Sequence, residues 1–274
     1  MPAIHPARLK HQAALLAEHF DDSPAYVRSL HHLLDSYAER IHRPGQAGTP
    51  APLLAAYKVR PPVLRQVLQE LVPLARENPE AGLGLCDALW EQPNLEFRLL
   101  AAALLGQIPC NQPELILTRI RAWVQPDVEA RLLEPLFTQG IGCLRREHPG
   151  EVIILAGDWL QQKDLFYQQL GLRIMLSFID DPQYENLPAF YRLVQPLVRS
   201  APARLRPDIL EVLAALIRRS PNETAYFLRQ TAALPNSPDT PFLIRQLLRD
   251  FPEDFQNGMR EFSRQLSETA RKKE

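Results

Sequence analysis

The chain has 274 residues, of which 46% are hydrophobic and 23% are charged, and its formal net charge at pH 7 is −1. These values are ordinary for a globular protein, and the length is sufficient to bury a substantial core. No apolar run approaches the roughly 18 residues that span a bilayer, and the N-terminal sequence lacks a signal-peptide pattern. We therefore expect a cytoplasmic protein without a membrane segment and without a global attraction to polyanions.

The residues that usually hold metals or cofactors form no recognisable motif. Cys86, Cys110 and Cys143 are odd in number and make no CxxC pair, which predicts buried thiols of a reducing compartment and not a disulfide or zinc frame. Six of the seven histidines precede residue 43, but none has the HExxH or His-x3-His spacing of a metal site. A Gly-rich phosphate loop and a G-x-S-x-G elbow are absent from the sequence. We expect no cofactor and no metal.

Helical periodicity dominates the chain, and strand-like alternation is nearly absent. The segment 207–219 is typical, since its apolar residues recur at the spacing of one helix face. Most of the 26 prolines fall at positions where a helix would begin or in connections, where they cost no hydrogen bond. The patterns predict helices over 8–20, 24–42, 62–77, 80–91, 94–107, 113–123, 126–146, 149–161, 163–179, 184–200, 205–219, 221–233, 239–250 and 252–271.

Short turns between these helices predict antiparallel neighbours, and each two-helix unit is too small to hold a core of its own. The fold class is therefore predicted to be all-α, with a HEAT-like (ARM-type) α-α superhelix of stacked helix pairs. A Pro- and Gly-containing stretch at 43–52 reads as a linker. It would separate an N-terminal helical pair (1–42) from the solenoid (53–271).

Two sequence motifs follow one another in the first half of the chain. KVRPPVLRQVLQEL (58–71) is similar to a G-V-R/P-x-P-x-L-R stretch that opens a helix, and DALWEQPNLEFRLLAAALLG (87–106) is similar to a helix ending L-W-E followed by E-x-R/F-x-x-A-A. A third stretch, 144–176, contains a His-Pro pair and a helix that ends in Trp. Over residues 53–230 the chain thus resembles the AlkD-type DNA alkylation repair glycosylases, a HEAT-like repeat family.

The resemblance implies a basic concave groove that holds duplex DNA, with a Trp-Trp-Asp motif whose carboxylate stabilises the oxocarbenium-like sugar. Aligned on His148-Pro149, these three positions fall on Glu129, Ala130 and Arg131, and the next acid falls on Glu134. An arginine at the carboxylate position has the wrong sign for this role. The second tryptophan, its partner arginine and a third aromatic residue of the family fall on Phe166, Gln169 and Glu211. We interpret these departures as loss of the catalytic motif.

A register shift of one helical turn would leave other candidates for the chemistry. Asp127, Glu129 and Glu134 could then supply the carboxylate, and Trp123 could supply an aromatic ring. The alternative to a non-catalytic module is thus an alkylpurine DNA glycosylase of the 3-methyladenine type with a rearranged site.

Arginines are concentrated in the second half of the chain, with six against two acids between residues 192 and 219. Guanidinium groups suit phosphate or carboxylate partners, although salt bridges between neighbouring repeats are the commoner explanation for such residues. The favoured interpretation is a non-catalytic module that binds duplex DNA or a protein on its concave face, and a scaffold without nucleic acid is a further alternative. The candidate binding residues are Arg131, Arg145, Arg146, Arg192, Arg199, Arg204, Arg206, Arg218 and Arg219.

Overall fold

The computed structural model of the protein describes residues 5–38 and 54–271, with side chains described as far as residue 266. Within these residues the chain forms fifteen α-helices and one short π-helical segment, and it forms no β-strand. The predicted all-α fold class is confirmed. The predicted linker, 43–52, lies outside the described residues. Among the described helices, none combines the length and apolar character that crossing a bilayer requires.

The chain divides into two compact units, with the boundary between Glu151 and Val152. In the first unit, α1 packs on α3, α3 packs on α4 and α5, and α4 packs on α5. Its elements are α1 Pro6–Ala17, α2 Ser23–Tyr37, α3 Pro61–Glu77, α4 Pro79–Trp90, α5 Leu95–Leu105, α6 Pro113–Trp123, α7 Ala130–Pro135, the π-helical segment Leu136–Gly140 and α8 Gly142–Glu147.

The second unit is also built from helices that pack on one another. Here α10 packs on α12, α12 and α11 each pack on α13, and α14 packs on α15. The helices are α9 Pro149–Leu160, whose first residues precede the boundary, then α10 Leu165–Ile179, α11 Leu187–Arg199, α12 Arg206–Arg219, α13 Pro221–Ala233, α14 Thr240–Leu247 and α15 Glu253–Arg271.

Prolines begin most of these helices, as the sequence predicts. Pro62, Pro113 and Pro207 are examples that lie in the first two positions of α3, α6 and α12. At that place a backbone N–H has no partner within the helix, so its absence costs nothing, and the fixed φ of proline already suits the helix. The predicted starts are therefore close to those observed for most helices that a proline begins, and Pro126 is the exception, because α7 begins at Ala130.

The predicted helix over 126–146 is wrong in two respects, because it begins at Ala130 and because the structure divides it into α7, the π-helical segment and α8. Pro135 has no N–H to donate to the preceding turn, and the register then changes, with the N–H of Ile141 donating to the carbonyl of Leu136 at 3.1 Å. The segment lies against the end of α5. A Cβ atom on Gly106 would stand only 1.7 Å from the carbonyl oxygen of Gln139, so glycine permits this approach.

Candidate functional site

A groove of about 530 Å³ lies in the first unit, where α3, α5 and the π-helical segment meet. Its floor is apolar and includes Leu64, Leu68 and Leu99. Its polar lining consists of Lys58, Arg65, Glu96, Arg131 and Gln139. Lys58, Arg65 and Arg131 are exposed, whereas Glu96 is buried. The charged groups that the groove offers to solvent are therefore cations.

The segment 54–60 forms one wall of this groove and is fixed to the turn before α5. Ala55 pairs with Asn94 in an isolated parallel β-bridge, and the N–H of Leu95 donates to the carbonyl of Ala55 at 2.8 Å. This backbone pairing places the first sequence motif beside the second. The wall is thus built by the two motifs that carry the family resemblance.

Glu96 anchors that wall from inside the groove. Its side chain is 5% exposed, and its Oε1 accepts a hydrogen bond from the backbone N–H of Lys58 at 2.7 Å. Its Oε2 is buried without a hydrogen-bond partner. Lys58 itself has φ +56°, the left-handed region that favours glycine, and it stands where the similar family stretch has glycine. The motif around Glu96 gives no sign of this contact in the sequence, because a partner 38 residues away leaves no local signal.

Glu129 anchors the same segment from the other side. Its Oε2 accepts a hydrogen bond from the backbone N–H of Leu54 at 3.1 Å, and its Oε1 is engaged by the guanidinium of Arg131. The Glu129 side chain is 10% exposed, against 52% for Arg131. Both carboxylate oxygens of Glu129 therefore have protein partners, and the residue that faces the groove is the arginine.

The remaining candidates for the chemistry are not brought to the groove. Asp127 and Glu134 are exposed, and neither lines it. Trp123 is 7% exposed and stacks face to face on Trp90, with ring centroids 4.4 Å apart and planes 7° from parallel. Arg98 lies over the Trp90 ring at 5.3 Å. This stack is part of the core of the first unit.

In the second unit, two of the three positions matched to the other family residues have partners within the protein. Phe166 makes an edge contact with Tyr167, with the ring centroids 5.2 Å apart. Gln169 donates to both carboxylate oxygens of Asp208 at 3.0 Å, and Glu211 is exposed. Of the tryptophan, the arginine and the third aromatic residue of the family, only one aromatic ring, that of Phe166, is kept at these positions.

Four of the arginines proposed for binding are engaged inside the second unit. Arg219 donates to the carbonyls of Ile179 at 2.7 Å and Tyr184 at 2.9 Å, which closes the turn after α10. The other three are engaged by nearby carboxylates or carbonyls: Arg206 by Asp239 at 2.9 Å, Arg218 by Asp180 at 3.5 Å and Arg199 by the carbonyl of Pro235 at 2.6 Å. These four arginines therefore form salt bridges or bind backbone carbonyls within the protein.

The other proposed arginines are scattered. Arg192 and Arg204 are exposed in the second unit, and Arg145 and Arg146 lie in the last turn of α8, half-buried and exposed respectively. Only Arg131 lies in the groove. Lys58 and Arg65 were not among the predicted binding residues, although both lie within the first family motif.

Comparison with known proteins agrees with the resemblance seen in the sequence. A model of the DNA alkylation repair enzyme family matches residues 52–246, which is most of the chain. No curated protein matches the chain. The matched region contains the whole groove and both motifs that build it. The chain belongs to the DNA alkylation repair enzyme family.

Proposed function

We propose that this protein is a non-catalytic member of its family, one that binds duplex DNA along the groove of the first unit. The observation that carries the proposal is the residue at the position of the family's Trp-Trp-Asp carboxylate. Arg131 stands there, and Glu129 has both oxygens occupied by Arg131 and the backbone of Leu54. Excision of a base needs a negative group beside the sugar as positive charge develops. A guanidinium at that place opposes the developing charge.

The same arrangement supports binding to phosphates. Lys58, Arg65 and Arg131 are exposed cations around one groove, and arginine in particular pairs with two phosphate oxygens at once. Each phosphate contact releases counterions from the duplex, which makes affinity depend steeply on salt. The formal net charge of the chain is −1, so a local cluster must supply this attraction.

Base excision through a rearranged site is the second candidate function, and one observation favours it. Glu96 lines the groove and has a buried oxygen without a hydrogen-bond partner. That oxygen is buried, and the backbone N–H of Lys58 occupies the other oxygen. We therefore assign Glu96 to holding the wall, and base excision through it would require the wall to open.

The test is release of methylated bases from alkylated duplex DNA by the full-length protein at concentrations that saturate the duplex. We expect binding of the duplex and base release no faster than spontaneous depurination. Faster release that is lost in Glu96→Gln, Glu134→Gln or Asp127→Asn would establish the glycosylase instead. Absence of any salt-dependent binding to duplex DNA would leave a protein-assembly scaffold as the remaining interpretation.

A further inference from the structure

A second cluster of reactive side chains lies in the first unit, outside the lining of the groove. The sulfur atoms of Cys110 and Cys143 and a carboxylate oxygen of Glu147 all lie within 4.8 Å of one another. The sequence predicts three independent buried thiols, and the structure brings two of them together. Only Cys86, which is also buried in this unit, stands apart from the cluster.

The three residues come from two parts of the chain. Cys143 and Glu147 are four residues apart in α8, a spacing that places both side chains on one face of a helix. Cys110 comes from the connection between α5 and α6, and its thiol donates a hydrogen bond to Glu147 Oε2 at 3.3 Å. The two cysteines are at most 4% exposed, whereas Glu147 is exposed. The cluster is thus closed on the sulfur side and open to solvent on the carboxylate side.

These three side chains are ligands that a soft divalent cation prefers. Two sulfurs and a carboxylate suit zinc, whereas calcium and magnesium favour oxygen ligands alone. Around a tetrahedral zinc ion, sulfur and oxygen ligands lie about 3.5–3.8 Å from one another. The separations in the cluster require only a small contraction to reach that geometry, and water could take the fourth position on the exposed side.

Without a cation, the Cys110 thiol keeps its proton, which it donates to Glu147. Burial raises the pKa of the Cys110 thiol most, and the neighbouring Cys143 and Glu147 raise it further. A bound cation replaces the thiol protons, so that each cysteine loses one proton and coordinates as thiolate. Binding of one Zn²⁺ therefore releases two protons and becomes tighter as the pH rises.

We propose that Cys110, Cys143 and Glu147 form a binding site for one thiophilic divalent cation of the zinc class. The site links the connection after α5 to α8, on either side of the π-helical segment in the chain. Its expected role is structural, because three protein ligands from two elements would fix their separation. The proposal is independent of DNA binding.

Cadmium is a direct probe, because Cd²⁺ bound to thiolates gives an ultraviolet charge-transfer band. The full-length protein is stripped of metal with a chelator, kept reduced under anaerobic conditions and titrated with CdCl₂. We expect the band to saturate at one Cd²⁺ per chain, to decrease only with a large excess of Zn²⁺ and to be accompanied by release of two protons.

Substitutions separate the site from ordinary thiol binding. Cys110→Ser and Cys143→Ser should each lose the saturating band, whereas Cys86→Ser, which removes an equally buried thiol, should keep it. Glu147→Gln, at an exposed position that does not endanger folding, should weaken Cd²⁺ binding by about tenfold, equivalent to about 1.4 kcal/mol. No saturating band in the native protein, or equal loss in Cys86→Ser, would overturn the proposal.

Discussion

Lys58 adopts a backbone conformation that a residue with a side chain rarely takes, with φ +56°. The conformation is imposed from outside, because Glu96 binds the Lys58 N–H and the bridge between Ala55 and Asn94 fixes the preceding residues. The strain is local and is of the order of 1 kcal/mol for a non-glycine residue. The wall of the groove is thus held in a shape that its own sequence does not favour.

Replacing Lys58 with glycine should relieve this strain. We expect Lys58→Gly to raise the free energy of unfolding by about 0.5–1 kcal/mol, because the gain in the left-handed region exceeds the entropy cost of glycine. Urea unfolding of the free protein measures the effect. Asn236→Gly is the matched control, since Asn236 has φ +58° but asparagine tolerates it, and its gain should be smaller. A less stable Lys58→Gly protein would contradict this account.

Tyr26 is a second residue that lowers the stability of the fold, because its hydroxyl is buried and has no hydrogen-bond partner. Removing an unsatisfied buried hydroxyl without changing the ring should stabilise the fold by up to about 1 kcal/mol. We expect Tyr26→Phe to unfold at a urea concentration equal to or above that of the native protein at pH 7. A marked loss of stability would show that the hydroxyl has a partner.

The same substitution has a pH signature. Burial raises the pKa of Tyr26 well above its ordinary value of 10.0. Above pH 10 this tyrosine ionises in the unfolded chain but stays protonated in the folded protein. The free energy of unfolding of the native protein therefore falls as the pH rises. The advantage of Tyr26→Phe should therefore grow above pH 10, and an advantage that stays constant there would contradict the assignment.

At the scale of elements, the prolines made most helix starts predictable, since a proline in the first turn occupies a place where the N–H is dispensable. The break inside the predicted helix 126–146 was not predictable in the same way, because the apolar periodicity continues through it. It depends on Pro135 together with the close approach of the π-helical segment to Gly106, and the partner lies more than thirty residues away. The apolar periodicity of one helix does not indicate a contact with a residue so distant in the sequence.

The contact at Gly106 predicts the effect of a methyl group. Gly106→Ala places a Cβ atom 1.7 Å from the Gln139 carbonyl oxygen, so the two backbones must separate. We expect a loss of about 1–3 kcal/mol in the free energy of unfolding, the usual range for overpacking. Gly84→Ala is the control, because nothing lies within 4 Å of that Cβ and alanine favours helix. Equal effects from the two substitutions would refute the close approach.

In the candidate site, too, local motifs could be predicted from the sequence, whereas contacts between distant residues could not. The family motifs were visible in the sequence, and so was the alignment of Arg131 with the carboxylate position, but the groove wall that the motifs build was not. The partners of Arg199, Arg206, Arg218 and Arg219 were not, because each lies more than thirty residues away on another element. Charge clustering along the chain therefore overstated the number of arginines that are available to a partner.

At the scale of the whole molecule, we propose that a nearly neutral chain binds duplex DNA through a few cations in one groove. The chain has 31 basic and 32 acidic residues, so affinity cannot come from net charge. Removal of one groove cation should then remove about one phosphate contact. The effect should appear in the salt dependence of binding more clearly than in the affinity at any one salt concentration.

The most direct measurement is the slope of log K against log salt concentration for binding of a duplex oligonucleotide. Arg65→Gln should reduce the magnitude of the slope by about 0.9, the value for one phosphate contact. Arg8→Gln, which removes an exposed arginine of α1 that does not line the groove, should leave the slope unchanged. A slope near zero for the native protein, or equal slopes for the native protein and Arg65→Gln, would contradict binding of DNA in this groove.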